Sequence, residues 1–244
     1  MKTSNHLLRR LTAALLAAVL ALSIALPVFA SDDGDTIYIN SVSDLLSLAK
    51  SCAYDQWSVG KTVILQKDLS LEGMLWEPIP SFSGQFKGNG HTISDLTITG
   101  QYSPAGLFGI VEEQGSIESL SVRGVVSVSD SADTTTGGIV GINHGTLISC
   151  QFTGVVTGDS EVGGIVGRNE SEGTIDHSTA RAIVTGKSST GGIAGYNLGA
   201  ITGCTNVGSI NTEYPEASLD TDGFTAKMVD YINNKMAAAA DDAT

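Results

Sequence analysis

Basic side chains are scarce in this sequence. Its 244 residues include 13 Lys and Arg against 26 Asp and Glu, which gives a formal net charge of −13. Because nucleic acids and anionic membrane surfaces attract basic proteins, this balance excludes both as expected partners. It is typical of a chain that stays soluble outside the cell or that meets cations and basic surfaces.

Long apolar runs are absent as well, except at the start of the chain. In residues 1–30, Lys2, Arg9 and Arg10 precede an apolar run at 11–26 that ends in "PVFA". This pattern predicts a secretory signal peptide. An uncleaved membrane anchor is the alternative, because the run is long enough to span a bilayer. After cleavage we expect no membrane span and an extracellular protein, either secreted or associated with the cell surface.

Helical spacing of apolar residues is missing from the middle of the chain, where a repeat replaces it. The stretch "GGIVGINHGTLISC" returns as "GGIVGRNESEGTIDHS" and "GGIAGYNLGAITGC", after a diverged "GLFG" unit. Units that start at Gly106, Gly138, Gly164 and Gly192 lie 32, 26 and 28 residues apart. The glycines that close these units are Gly109, Gly141, Gly167 and Gly195. Such periods indicate a solenoid, and short β-branched runs with alternating polarity indicate strands.

One turn of a parallel β-helix, with three short strands and three bends, takes up about 25 residues. We therefore expect an all-β protein with a β-helix of about four to five turns at residues 84–212. Residues 31–83 are expected to form an N-terminal cap that contains a helix. Residues 213–244 are expected to form a tail with a short helix.

Stacked turns should place equivalent residues above one another, and four columns of similar, mostly apolar residues are visible. Their burial would stabilise the coil by about 25 cal/mol per Å². The first two columns are Ile117, Leu147, Ile175, Ile201 and Leu120, Cys150, Ser178, Cys204. The other two are Val122, Phe152, Ala180, Asn206 and Val126, Val156, Val184, Ile210.

Three asparagines, Asn143, Asn169 and Asn197, recur two residues after the closing glycine of each unit. Asn tolerates the left-handed backbone of a bend, and stacked Asn side chains can hydrogen-bond along a column. We therefore expect a structural role, with a ligand site as the alternative.

The repeat resembles the GLUG motif of bacterial secreted and surface proteins. The resemblance rests on the cores "GLFG", "GIVG", "GIVG" and "GIAG", and on the upstream "FKGNGHTISDLTITG". It covers about residues 37–211. It implies a right-handed parallel β-helix at the cell surface or in the secreted fraction, in adhesin-like or protease-associated chains, and it implies no known active site.

Both ends of such a coil need covering, because an open end exposes apolar residues and strand edges. At the front, "SVSDLLSLAKSC" predicts a capping helix with Ser41 as N-cap and Asp44 as its capping-box partner. At the back, Phe224, Met228, Ile232 and Met236 fall at helical spacing. This second predicted helix would shield the last turn or begin a further element.

The three cysteines are expected to be free thiols. Cys150 and Cys204 share a column two turns apart, which at ~4.8 Å per turn separates them by about 9.6 Å. A disulfide requires the Cα atoms to lie within about 7 Å. Cys52 belongs to the predicted front cap and lies farther away.

The sequence contains no recognisable catalytic or metal-binding arrangement. Its acids are scattered, and Asp176 and His177 would point to opposite faces of a strand. "DTDG" at Asp220 resembles a calcium loop, but Ser218 and Val229 stand where acids are needed. We therefore expect no catalytic residue, no metal and no cofactor.

Polar loops of variable length precede each glycine pair, and stacking should line them up along one edge of the coil. Asp130, Asp133, Asp159 and Glu161 are the candidate binding residues of this edge. The leading hypothesis is a non-catalytic β-helix with an adhesion, ligand-binding or scaffold role. Its partner would be an extracellular glycan or a host or cell-surface protein. The alternative is a small polysaccharide-processing enzyme on the same fold.

Overall fold

A computed structural model of the chain describes residues 35–54, 56–128 and 134–211. These residues form one helix, α1 (Val42–Ser51), and 22 strands, which are numbered β1 to β22 in chain order. The strands pair in parallel, each with the equivalent strand of the neighbouring turn. The predicted all-β parallel solenoid is therefore confirmed.

The strands form four parallel sheets that run along the coil. Sheet I contains, in spatial order, β1 (Thr36–Ile39), β2 (Thr62–Leu65), β5 (Gln85–Lys87), β8 (Ser116–Glu118), β12 (Thr146–Ile148), β16 (Thr174–Asp176) and β20 (Ala200–Thr202). Sheet II contains β3 (Leu69–Ser70), β6 (Thr92–Gly100), β9 (Ser121–Val128), β13 (Gln151–Thr157), β17 (Thr179–Thr185) and β21 (Thr205–Asn206), with β22 (Ser209–Ile210) also paired to β17. Sheet III contains β4 (Ile79–Phe82), β7 (Phe108–Val111), β11 (Val140–Asn143), β15 (Val166–Asn169) and β19 (Ala194–Asn197). Sheet IV contains β10 (Thr136–Gly137), β14 (Val162–Gly163) and β18 (Thr190–Gly191).

The coil has about six turns, so the expected four to five turns were too few. The additional turns come from the segment expected to form only a cap, since β1 pairs with β2 and β2 pairs with β5. That segment lacks the glycine pairs from which the turns were counted. A β-helix turn needs alternating inward residues, such as Val63 and Leu65, but it does not need the glycine motif.

The four predicted columns are observed. Leu147 pairs with Ile117 and with Ile175, which in turn pairs with Ile201. The column of Phe152 and the column of Val156 show the same register across β9, β13 and β17. Side chains of the middle turns are fully buried, as Ile175 shows with 0% exposure. The core is therefore a set of one-residue-wide apolar stacks inside the coil.

The glycine pair of each repeat has a steric reason. A Cβ atom added to Gly137, Gly163 or Gly191 would collide with the carbonyl oxygen three residues later in the same unit. The second glycine is enclosed by the next turn, because a Cβ on Gly164 would collide with the carbonyl oxygen of Gly192. The pair therefore lets the chain bend sharply while neighbouring turns stay in contact.

The first turn is covered by α1 as predicted. The backbone N–H of Asp44 donates to Ser41 Oγ (3.2 Å), which confirms the N-cap. The Asp44 carboxylate accepts from the N–H of Asn40 (2.9 Å). The helix buries Leu45 and Leu48 against the coil. Its amphipathic face therefore closes the front end.

Aromatic side chains fill the early turns. Phe82, Phe86 and Phe108 form a mutual cluster, with ring centroids 5.4 to 6.3 Å apart. Trp76 is buried, and its indole N–H donates to the carbonyl oxygen of Leu107 (3.1 Å). These bulky residues fill the interior of the early turns, where Phe86 extends the column of Ile117 and Phe108 pairs with Val140.

Candidate functional site

The loop edge predicted to bind a ligand brings two of its four candidate acids onto the described coil. Asp159 lies 2.7 Å from the ammonium group of Lys187, and its backbone carbonyl accepts from the N–H groups of Lys187 and Ser188. Asp130 and Asp133 lie outside the described residues. A binding role for the four acids stays a prediction.

The second described candidate, Glu161, belongs to a small charged cluster. Its carboxylate accepts from Arg168 (3.2 Å) and from the hydroxyl of Thr135 (3.2 Å). Arg168 also lies 2.8 Å from Glu170 and stacks over the ring of Tyr196, with its guanidinium carbon 5.0 Å from the centroid. Arg168 therefore neutralises acids of two neighbouring segments, which ties the loop edge to sheet III.

Two acid–histidine contacts occur on the outer surface. His177 Nδ1 lies 2.8 Å from Asp176 Oδ1, so the expectation that these side chains point apart was wrong. The reason is local, because β16 ends at Asp176 and His177 adopts a left-handed backbone with φ 45°. At the other contact, the Asp68 carboxylate accepts from the backbone N–H of Thr92 (2.9 Å) and lies 3.1 Å from His91 Nδ1. The hydrogen bond from Thr92, followed by that with His91, lowers the pKa of the Asp68 carboxyl group.

The asparagine column is a buried hydrogen-bonded ladder. Asn143 Nδ2 donates to Asn169 Oδ1 (2.7 Å), and Asn169 Nδ2 donates to Asn197 Oδ1 (2.8 Å). The same amides also donate to the carbonyl oxygens of Gly145 and Gly173 within their own turns. Because Asn143 and Asn169 have no exposed surface, the geometry favours the structural role.

The three thiols are free, as predicted. Burial raises the pKa of the Cys150 thiol to about 12 and that of Cys52 to about 11. Burial also raises the pKa of Cys204, which lies in the last described turn. All three therefore remain protonated near neutral pH, and a protonated thiol is a poor nucleophile.

A polar face that the sequence analysis missed lies on the outside of sheet II. Arg123 and Arg181 both pair in register with Thr153, so the two arginines lie on either side of this threonine. Together with neighbouring side chains they line one depression on the outer surface. The depression is lined by Thr92, Ser121, Val122, Arg123, Gln151, Thr153 and Arg181.

The two arginines of this face are exposed, and in the described ranges neither has a salt-bridge partner. Thr153 is almost buried between them and accepts from the Gln151 side-chain amide (3.3 Å). The arrangement therefore offers two guanidinium groups above a floor of hydroxyl and amide groups. The column register could have indicated it, because Arg123, Thr153 and Arg181 each follow an inward residue of one predicted column.

Residues 35–54, 56–128 and 134–211 contain no cluster of three or more His, Cys, Asp or Glu side chains that could hold a metal ion. The predicted signal peptide at residues 1–30 and the predicted tail with its helix at residues 213–244, which includes the calcium-like segment at Asp220, lie outside the described residues. Among the described helices, none is long and apolar enough to span a membrane.

Comparison with known proteins identifies the repeat. Residues 158–185 match the GLUG motif. The chain is 33% identical over 155 residues to Halomucin of the archaeon Haloquadratum walsbyi. This alignment covers 58% of this chain and 2% of Halomucin. It is 30% identical over 137 residues to a protein of Evansella cellulosilytica provisionally named a Gly-rich membrane protein. That alignment covers 41% of this chain and 16% of the relative.

A solved structure, provisionally described as an immunoglobulin A1 protease from Bacteroides ovatus, is 15% identical with a TM-score of 0.41. The match covers 76% of this chain and 80% of that one. A bacterial origin stays a prediction, since one relative is archaeal. The resemblance drawn from the sequence is confirmed at the level of the motif: the chain carries a GLUG motif at residues 158–185.

Proposed function

We propose that this chain is a non-catalytic β-helix, secreted or held at the cell surface, that binds a glycan through the outer face of sheet II. The observation that carries the proposal is the pair of exposed arginines, Arg123 and Arg181, on either side of Thr153. Elsewhere on the coil, Arg168 and Lys187 are neutralised by neighbouring acids. Lys50, Lys67 and Lys87 also lack a salt bridge among the described residues, so the two arginines differ from them in bordering one shared depression.

The chemistry of the face suits carboxylate groups on a sugar chain. A guanidinium group binds a carboxylate through two parallel hydrogen bonds. The two arginines are separated by two strand spacings, which places their backbones about 9.6 Å apart. Ser121 and Gln151 add hydroxyl and amide groups, which can donate to and accept from sugar hydroxyls.

The overall charge restricts which acidic glycan fits. A net charge of −13 repels a densely charged polymer at long range. A glycan that carries carboxylates on separated sugars, with neutral sugars between them, meets the two guanidinium groups with less repulsion. Hyaluronan oligosaccharides have this pattern, with one carboxylate on every second sugar, and they serve as the test ligand.

The binding test is calorimetric titration of the protein with hyaluronan oligosaccharides and with the same oligosaccharides after reduction of their carboxyl groups. We expect binding only to the unreduced form. Arg123→Gln and Arg181→Gln should each weaken it about tenfold or more, because a hydrogen bond to a charged group contributes about 1.5–3 kcal/mol. Lys50→Gln removes the same charge on α1 and should leave the affinity unchanged.

Three outcomes contradict this proposal. The two arginines do not bind the glycan if the reduced and unreduced oligosaccharides bind equally. The same follows if the Arg123→Gln/Arg181→Gln double variant keeps its affinity. Reproducible cleavage of the glycan that one acidic substitution abolishes would favour the enzyme alternative.

Surface location is tested by protease treatment of intact producing cells, which should degrade the protein without lysis.

A further inference from the structure

The depression on the outer face of sheet II is elongated along the axis of the coil. Its lining residues come from four consecutive strands of that sheet, β6, β9, β13 and β17. Neighbouring strands lie about 4.8 Å apart, so the lining extends about 14 Å across the strands. Along a single strand it takes in at most the three residues from Ser121 to Arg123. A chain-like ligand in this depression therefore lies across the strands and parallel to the coil axis.

The charges of this face follow one column of outward residues. Arg123, Thr153 and Arg181 pair in register on consecutive strands, so the column presents a cation, a neutral hydroxyl and a second cation. Thr153 is 6% exposed, and its Oγ1 accepts from the Gln151 side-chain amide (3.3 Å). The space between the two arginines therefore has an uncharged floor.

The column changes character beyond both arginines. In front of Arg123, the next strand, β6, carries Asp95 in a β-bulge, and the carboxylate of this residue accepts from two serine hydroxyls. Behind Arg181 the column continues at Val207, whose N–H donates to the carbonyl oxygen of Ala180 (2.9 Å). Among the described residues of this column, an acid and an apolar side chain therefore bound a pair of cations.

The backbone holds the distance between the two arginines. A Cβ atom on Gly154 would collide with the carbonyl oxygen of Gly124, because the two strands are in close contact here. The arginine side chains are long, but bending them together would bring two like charges close, which is unfavourable. The guanidinium groups therefore stay near the separation of their backbones, about 9.6 Å.

We propose that this face selects a glycan by the spacing of its carboxylates. The inference rests on the proposed function and adds to it the orientation of the sugar chain and the feature that is recognised. The chain lies parallel to the coil axis, and each sugar of an extended glycan advances it by roughly the distance between adjacent strands. Carboxylates on every second sugar then meet Arg123 and Arg181, and the neutral sugar between them lies over Thr153. A carboxylate on that middle sugar would face a hydroxyl instead of a cation.

The first test moves one arginine by one turn without changing the composition of the face. In Thr153→Arg/Arg181→Thr the two cations lie on adjacent strands, and the net charge is unchanged. Arg123→Thr/Thr153→Arg makes the matching change on the other side of Thr153. Both variants are compared with the unmodified chain by calorimetric titration with hyaluronan tetrasaccharide, which has two carboxylates, and with the disaccharide, which has one.

We expect each rearranged variant to bind the tetrasaccharide about tenfold more weakly than the unmodified chain does, because only one guanidinium group is then engaged. Its affinity should equal that of Arg181→Gln. The disaccharide should bind all these proteins equally, since it engages one arginine in every arrangement. Urea unfolding shows whether each variant is folded, and either rearrangement alone is sufficient for the comparison.

A length series tests the limits of the column in the unmodified chain. From the disaccharide to the tetrasaccharide the affinity should rise about tenfold or more, because the second arginine becomes engaged. From the tetrasaccharide to the hexasaccharide it should hardly change, because Asp95 and Val207 offer no cation to a third carboxylate.

Three results overturn this inference. The first is a rearranged variant that binds the tetrasaccharide as tightly as the unmodified chain does. The second is an equal loss for the disaccharide and the tetrasaccharide, since such a loss does not depend on a second carboxylate. The third is a hexasaccharide gain as large as the tetrasaccharide gain. In each case the proposed function still holds if Arg123→Gln and Arg181→Gln weaken binding, and it fails itself if they do not.

Discussion

The middle turns and the last described turn of the coil carry nearly the same sequence, yet their side chains meet different surroundings. Ile175 and Ile201 occupy equivalent positions of consecutive repeats, but one is fully buried and the other is 38% exposed. Asn169 is likewise buried, whereas Asn197 is exposed at the end of the same ladder. In a solenoid the burial of a residue therefore depends on how many turns stack on it, rather than on the repeat sequence alone.

The largest expected effect is that of Ile175→Ala. The substitution removes a fully buried side chain that contacts equivalent residues in the turns on both sides. It should lower the free energy of unfolding by about 2–5 kcal/mol, as other large-to-small core changes do. Urea unfolding followed by circular dichroism measures this change, and a loss below about 1 kcal/mol would mean that the column is not a packed core.

A smaller but clear loss is expected for Asn169→Ala in the middle of the asparagine ladder. The side chain accepts from Asn143 and donates to Asn197 and to the carbonyl oxygen of Gly173. Its removal leaves buried groups without partners, which costs about 1–3 kcal/mol. Asn197→Ala at the ladder's end is the matched control, and an equal loss for both variants would argue against a ladder that acts through stacking.

The smallest expected effect is that of Ile201→Ala. This residue has one neighbouring turn among the described residues and is partly exposed, so truncation removes less buried surface. The free energy of unfolding should fall by about 1 kcal/mol or less, well below the loss for Ile175→Ala. The same urea unfolding experiment provides the comparison. A loss as large as that of Ile175→Ala would show that both turns are equally buried.

Much of this coil could be predicted from the sequence, because the repeat fixes the register. The column from Ile117 to Ile201 and the ladder from Asn143 to Asn197 follow directly from the spacing of the glycine pairs. The early turns were missed because strands such as β2 have inward residues but no glycine motif. Sequence periodicity identifies turns that repeat the glycine motif, and it overlooks turns that have the same backbone path without the motif.

The candidate site was harder to predict, since it depends on side chains from different turns. Asp159 and Glu161 were singled out for their sign of charge, but the structure pairs them with Lys187 and Arg168. Those ion pairs join separate loops and strands, which the one-dimensional spacing does not show. His177 was misplaced for a local reason, because its left-handed backbone ends the alternation of the strand.

Native-state hydrogen exchange resolved by turn tests the central comparison most directly. In the full-length protein, the backbone amides of β12 and β16 should exchange only with the opening of the whole coil, because turns stack on both sides of them. Those of β20 should exchange faster, because the Ile201 side chain of this strand is 38% exposed where it stacks on β16. Equal protection of β16 and β20, or slower exchange in β20, would contradict the account that stacking between turns sets local stability.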